Sequence, residues 1–135
     1  MHVNVQWKNG VQFDIEARGH HIMSDQPRES GGSDGGMTPP EFLLASLGAC
    51  AAYYAAEYLR VRSLPQEGLQ VRVHAEKAAQ PARLGAFRIE VESPAMEEER
   101  HREGILRAVR RCVVHNTLLH APAIEVIAAA APVTI

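Results

Sequence analysis

TPPEFLLASLGAC, residues 38 to 50, decides the fold, because it opens a long apolar helix and ends on one of the chain's two cysteines. Thr38 is a helix-cap residue, Pro39 and Pro40 suit a first turn whose N–H groups have no intrahelical partner, and Glu41 is favourable near the positive helix end. The pattern predicts a helix from Pro39 or Pro40 to about Arg60. Its apolar residues lie on all sides and many are Ala or Gly, so other elements can approach the backbone closely. Such a helix belongs at the centre of the structure. The run from Phe42 to Leu59 is also the sole candidate membrane span. It holds Glu57, Ser46 and three tyrosines, and it is richer in alanine than in leucine, which favours a buried core helix.

On the N-terminal side, Val3, Val5 and Trp7 alternate with polar residues, Asn9-Gly10 is a two-residue hairpin signal, and Val11, Phe13 and Ile15 resume the alternation. A β-hairpin therefore opens the chain, and His20 to Met23 adds a short strand. The segment SDQPRESGGSDGGM has four glycines, little hydrophobicity and no periodicity, so it reads as a long, mobile loop covering a site. Its GGSDGG has neither the lysine nor the preceding strand of a phosphate-binding loop.

On the C-terminal side, Leu69, Val71 and Val73 alternate with polar neighbours, and Phe87, Ile89 and Val91 do so after a turn around Gln80 to Gly85. These predict two long antiparallel strands with one wet face. A second helix follows Pro94, with Glu97, Glu98 and Glu99 early and Arg107, Arg110 and Arg111 late, both suited to the helix dipole. Ile105, Leu106, Val109, Cys112 and Val113 recur at helical spacing and place Cys112 on the apolar face near the C-terminal end. The three arginines read as a solvated helix face rather than an anion site. Ile124, Val126, Ile127, Val133 and Ile135 suggest a last strand interrupted by Pro132. No repeat or linker appears, and 135 residues with 46% hydrophobic content suit one domain, residues 1–135.

A net charge of -2 and pI near 6.4 offer no electrostatic attraction for nucleic acid or an anionic membrane. The N-terminus alternates and so lacks the continuous apolar core of a secretory signal, which leads to the expectation of a cytoplasmic protein. In a reducing compartment two cysteines are either chemical or simply buried. Among the seven histidines, Cys112-x-x-His115 and His115-x4-His120 have tolerable ligand spacing, but no second pair completes a metal set. Neither metal nor cofactor is expected.

An attacking cysteine must be a thiolate, whereas a free thiol with a pKa of about 8.5 is mostly protonated at neutral pH. Cys50 lies about ten residues into its helix, roughly 15 Å from the start at 1.5 Å per residue, too deep for the terminal dipole to act strongly. A cation from elsewhere is then required, with Arg18 the first candidate and Arg28 the second. Cys112, near the negative end of its predicted helix, suits a resolving role better than an attacking one. On these residues alone both thiols also suit inert buried positions, where free cysteine is common.

Gly31 to Cys50, read as G-G-x-x-x-G-x-x-P-P-E-F-L-L-A-S-L-G-A-C, resembles the first cysteine motif of the OsmC/Ohr superfamily. Arg111-Cys112-Val113-Val114-His115-Asn116-Thr117-Leu118 is similar to the second cysteine segment of that family. Length and element order match over nearly the whole chain, within a less characterised branch with a Gly-Gly loop. The resemblance implies an α+β OsmC-like fold, an antiparallel sheet with two core helices carrying the cysteines, in an intertwined homodimer with sites at the subunit interface. It also implies a thiol peroxidase acting on organic hydroperoxides in oxidative stress defence. Cys50 would then be peroxidatic and Cys112 resolving, and an external dithiol would restore the reduced form. A glutamate in the hydroperoxide-resistance branch steadies the arginine that holds the thiolate. Here Glu41 stands nine residues before Cys50, one fewer than in that branch, which turns it toward the opposite helix face. The apolar tail of a substrate is expected beside Phe42, Leu47 and Tyr53 or Tyr54. The alternative is a small-molecule-binding or structural stress-response dimer of the same family without significant peroxidase turnover.

Overall fold

A computed structural model describes residues 1–130. The chain divides into two compact units, one comprising Met1–Phe42 with the chain from Ala123 onward, the other Leu43–Pro122.

In the first unit, β1 (Asn4–Asn9), β2 (Gln12–Ala17) and β3 (His20–Ser24) form an antiparallel sheet in sequence order. The β1–β2 turn sits one residue later than the Asn-Gly signal predicts, because Asn9 pairs with Gln12 and leaves Gly10 and Val11 at the tip. The ladder is irregular between Trp7 and Asn9, and the indole Nε1–H donates to the Gly10 carbonyl at 3.0 Å. Ala17 pairs with His20, so β2 and β3 join through Arg18 and Gly19, both in the left-handed region with φ of 54° and 81°. That geometry matches the two-residue turns that suit the twist of paired strands.

The segment after β3 differs from the mobile loop predicted for it. The Asp25 side chain is completely buried and accepts hydrogen bonds from Gln12 Nε2 at 3.0 Å and from the backbone N–H groups of Gln26 at 2.7 Å, Gly35 at 2.9 Å and Ser33 at 3.3 Å. These donors bring the Asp25 pKa down to about 2, the Gln12 amide contributing most. Arg28–Ser30 forms a single 3-10 turn. Glycine is needed where the loop closes on itself, since a Cβ on Gly32 would strike the Gln26 carbonyl oxygen.

The helix α1 (Pro39–Val61) begins in the first unit and carries its buried stripe in the second. Its start is a capping box. Thr38 N–H and Oγ1 donate to Glu41 Oε1 at 3.1 and 2.7 Å, while Glu41 N–H donates back to Thr38 Oγ1 at 3.4 Å.

In the second unit, β4 (Gln70–Ala78) and β5 (Arg83–Glu92) form the long hairpin. Val71 faces Val91, Val73 faces Ile89 and Ala75 faces Phe87, while the pairs Arg72–Glu90 and His74–Arg88 alternate with them on the wet face. Gly85 belongs to β5 rather than to the turn. It is the extra residue between the Glu76–Ala86 and Lys77–Leu84 pairs, where a Cβ would come within 2.7 Å of the Ala78 Cβ. Leu47, Ala51, Ala55 and Leu59 form the buried i, i+4 stripe of α1. Three of them, Ala51, Ala55 and Leu59, pack with Ile105 and Val109, and the apolar hairpin row through Val71, Ile89 and Val91 closes the core. Gly48 lets the helix approach the sheet, since a Cβ there would sit 3.1 Å from Val73 Cγ2.

The second helix is broken where one continuous helix is predicted. A 3-10 turn, Pro94–Glu97, precedes α2 (Glu99–Val109), and α3 (Val113–Leu119) follows after Arg110–Cys112. Arg111 and Cys112 donate to Ala108 and Val109 carbonyls three residues back, which tightens and ends α2. Cys112 then takes extended backbone and caps α3, its sulfur accepting from the His115 N–H at 3.4 Å. No Gly or Pro marks the break. The β-branched pair Val113-Val114, of low helix propensity, is the only local hint. The strand expected from Ala123 is not formed over residues 123–130, which are exposed and irregular, and Val133 and Ile135 lie outside the described residues.

Candidate active site

Breaking the helix at Cys112 changes what surrounds Cys50. Cys50 is half-buried and Cys112 fully buried, and both thiols are free. The first turn of α3 meets α1 at Cys50. Burial raises the Cys50 pKa, but hydrogen bonds from the Cys112 side chain and from the Val114 and Val113 N–H groups outweigh it, and the net shift is downward. The Cys112 pKa moves up, first through burial, then through the hydrogen bond and charge of its Cys50 neighbour. Of the two thiols, Cys50 is the one whose surroundings favour ionisation and Cys112 the one whose surroundings oppose it.

The depth argument against the dipole of α1 still stands, and within the single chain the groups that lower the Cys50 pKa are the Cys112 side chain and the backbone of Val114 and Val113. No arginine is among the groups that shift Cys50. Arg18 stands exposed at the tip of the β2–β3 turn and Arg28 in the 3-10 turn, both in the first unit, while both cysteines belong to the second. The Glu41 carboxylate is drawn down in pKa by the Thr38 hydroxyl and N–H, with Oε1 committed to the capping box. The raised pKa of Cys112 has burial and Cys50 as its causes, and not the negative end of α2, as the unbroken helix suggests.

Two pockets within the second unit are lined by residues of α1 and of the helices around Cys112. One, of about 430 Å³, is lined by Leu47, Leu84, Phe87, Ile89, His115 and Leu118 among others. The other, of about 640 Å³, is lined by Tyr53, Tyr54 and Tyr58 from α1, by Arg62, and by Arg107 and Arg111. The expected tail-binding set is therefore divided: Leu47 lines the first pocket, Tyr53 and Tyr54 the second, and Phe42 belongs to the other unit. Arg107 and Arg111 also do more than coat a helix face, since they share a wall with Arg62, whose guanidinium stacks 3.8 Å over the Tyr58 ring.

Sequence reasoning missed two contributions: the Val113 and Val114 amides become available only because the helix breaks, and His115 was visible only as a spacing and as part of the second cysteine segment.

Comparison with known proteins agrees with this architecture. The model of the family described as OsmC-like protein matches residues 31–127. No curated protein matches the chain in sequence. Among solved structures, the chain resembles a protein from Psychrobacter arcticus 273-4 named for osmotic stress induction and a detoxification response, with a TM-score of 0.74, 17% identity and 85% of each chain covered. It also resembles the OsmC like protein from Mycoplasma pneumoniae, with a TM-score of 0.63, 23% identity, and 82% of this chain and 80% of that one covered. A third likeness is to an organic hydroperoxide resistance protein from Legionella pneumophila, with a TM-score of 0.56, 19% identity, and coverage of 87% and 89%. At these identities the similarity is one of fold.

Proposed function

Because the chain belongs to the OsmC-like protein family of the OsmC/Ohr superfamily, we propose that it is a thiol peroxidase reducing organic hydroperoxides, with Cys50 peroxidatic and Cys112 resolving. The observation that carries this reading is the contact between the two thiols, one lowered and the other raised in pKa. The Cys50 thiolate attacks the terminal oxygen of R–O–O–H, the O–O bond breaks, and the sulfur becomes a sulfenic acid. Cys112 then condenses with it, releasing water and forming a disulfide that an external dithiol of the cytoplasm reduces. The similarity to a protein named for organic hydroperoxide resistance supports the substrate class.

A homodimer completes the site in this reading. Arg18, on its exposed turn, is the proposed cation for the thiolate, and Glu41 is its proposed acidic partner through the oxygen left outside the capping box. A second reading, a small-molecule-binding or structural dimer without turnover, is favoured by one observation: no cation is among the groups that shift Cys50.

Exposure of the reduced protein to cumene hydroperoxide and to hydrogen peroxide separates the readings. The peroxidase reading expects rapid loss of both thiols and an intact mass lower by two hydrogens. Cys50→Ser is expected to abolish consumption, and Cys112→Ser to react once and stall at sulfenic acid. Thiols that survive an excess of both oxidants exclude it in favour of the binding reading.

A further inference from the structure

Among the described residues, the buried side-chain nitrogen or oxygen without a hydrogen-bond partner is Nδ1 of His115. Folding normally pairs such atoms, and an orphaned N–H is rarer than an orphaned acceptor. A neutral imidazole carries its proton on one nitrogen and a lone pair on the other. With no acceptor in reach of Nδ1, the tautomer with its proton on Nε2 is the one that leaves no buried N–H unpaired.

The ring helps to line the 430 Å³ pocket, and every other lining side chain is apolar or absent: Leu47, Leu84, Gly85, Ala86, Phe87, Ile89, Leu118 and Leu119. His115 is therefore the one polar side chain in that wall. It lies one turn after Cys112 on α3, and its own backbone N–H holds the Cys112 sulfur at 3.4 Å. The preceding amides of Val113 and Val114 hold Cys50, and Leu47 lies three residues before Cys50 on α1. One side of the pocket is thus built from the segments of α1 and α3 that neighbour the thiol pair, and the other from β5. An apolar pocket with one polar side chain in its wall fits a molecule with an apolar body and an oxygen acceptor at one end.

Resting on the peroxidase reading, we propose that His115 is a substrate-binding residue, whose Nε2–H donates to the alkyl-bearing oxygen of R–O–O–H while R fills the pocket. The Cys50 sulfur supplies two electrons to the terminal oxygen, so the S–O bond forms as the O–O bond breaks. The leaving alkoxide RO⁻ is held by the imidazole N–H and takes its proton from water, giving ROH and hydroxide. Sulfur is oxidised to the sulfenic acid and the peroxide is reduced to the alcohol.

The test compares wild type, His115→Phe and His115→Gln in single-turnover consumption of cumene hydroperoxide, alongside alkylation of Cys50 by iodoacetamide. Removing a donor aimed at a developing oxyanion costs on the order of 10²-fold in rate. That loss is expected for His115→Phe with cumene hydroperoxide, with recovery to within about tenfold in His115→Gln, which keeps a side-chain N–H. Alkylation should stay within about twofold in both variants, since the thiolate and its backbone donors are untouched. Undiminished cumene hydroperoxide turnover in His115→Phe overturns the proposal, as does equal loss in both variants. A parallel fall in alkylation also overturns it, because it marks a structural role. If wild type leaves cumene hydroperoxide intact, the peroxidase reading itself fails and this inference falls with it.

Discussion

Two cysteines of identical chemistry sit side by side, and their surroundings divide the labour between them. Cys50, half-buried, faces N–H and S–H donors, all of which favour a negative sulfur; Cys112, fully buried, has the developing charge of Cys50 as a neighbour. Alkylation by iodoacetamide, read residue by residue with mass spectrometry across pH, should therefore reach half its maximal rate for Cys50 below the pKa of about 8.5 of a free thiol. Cys112 should resist well above that pH. The Cys112→Ala variant removes the side-chain donor while leaving the amides, so the Cys50 midpoint should move upward toward the free value. A midpoint that does not move would assign the shift to the α3 backbone alone. Reaction of Cys112 before Cys50 would reverse the division of roles.

At the scale of elements, the alternations through Val71 and Ile89 and the cap at Thr38 were legible because each is a local rule: period two, or a side chain three residues from its partner. What the sequence could not display was the work of groups brought from a distance. Asp25 organises its loop with an amide thirteen residues upstream and N–H groups up to ten residues downstream, so no window of hydrophobicity reveals it. The Asp25 carboxyl titrates near 2 when folded against about 3.9 when unfolded, so its stabilisation is complete above about pH 4 and fades as pH falls through about 2. Asp25→Asn should flatten that acid transition, measured by hydrogen exchange of the Ser33 and Gly35 amides; an unchanged transition would remove Asp25 as its cause. The α2 break was hidden for the same reason, since Cys112 leaves the helix for a buried position without Gly or Pro. On α2 itself, Gly104 admits the Tyr58 ring, and a Cβ there would run into it, while Tyr58 Oη pairs with His101 Nδ1 at 3.1 Å. Gly104→Ala should cost about 1–3 kcal/mol in urea denaturation, despite the better helix propensity of alanine. A gain in stability would mean that the ring moves aside freely.

At the scale of the whole molecule, the homodimer of the proposed reading needs an apolar surface, and the sheet of the first unit offers one. In the single chain Val5 and Trp7 keep 61% and 62% of their surface, and Ile22 keeps 46%, although the strand pairing sets Val5, Ile15 and Ile22 in one row across the sheet. A three-stranded sheet gains its stability by covering one face, and contiguous exposed apolar side chains mark an association surface. Covering a side chain of this size contributes about 1.5–3 kcal/mol, so a charge placed within the row opposes association strongly. Sedimentation at micromolar protein is expected to report a dimer for the wild type and a monomer for Val5→Glu. If the site is completed across the interface, as the assignment of Arg18 requires, the monomer should also lose hydroperoxide turnover, and adding Arg18→Gln to it should cost nothing more. A monomeric variant that keeps full activity would place the whole reaction within one chain, leaving the α3 amides and Cys112 as the sole stabilisers of the thiolate.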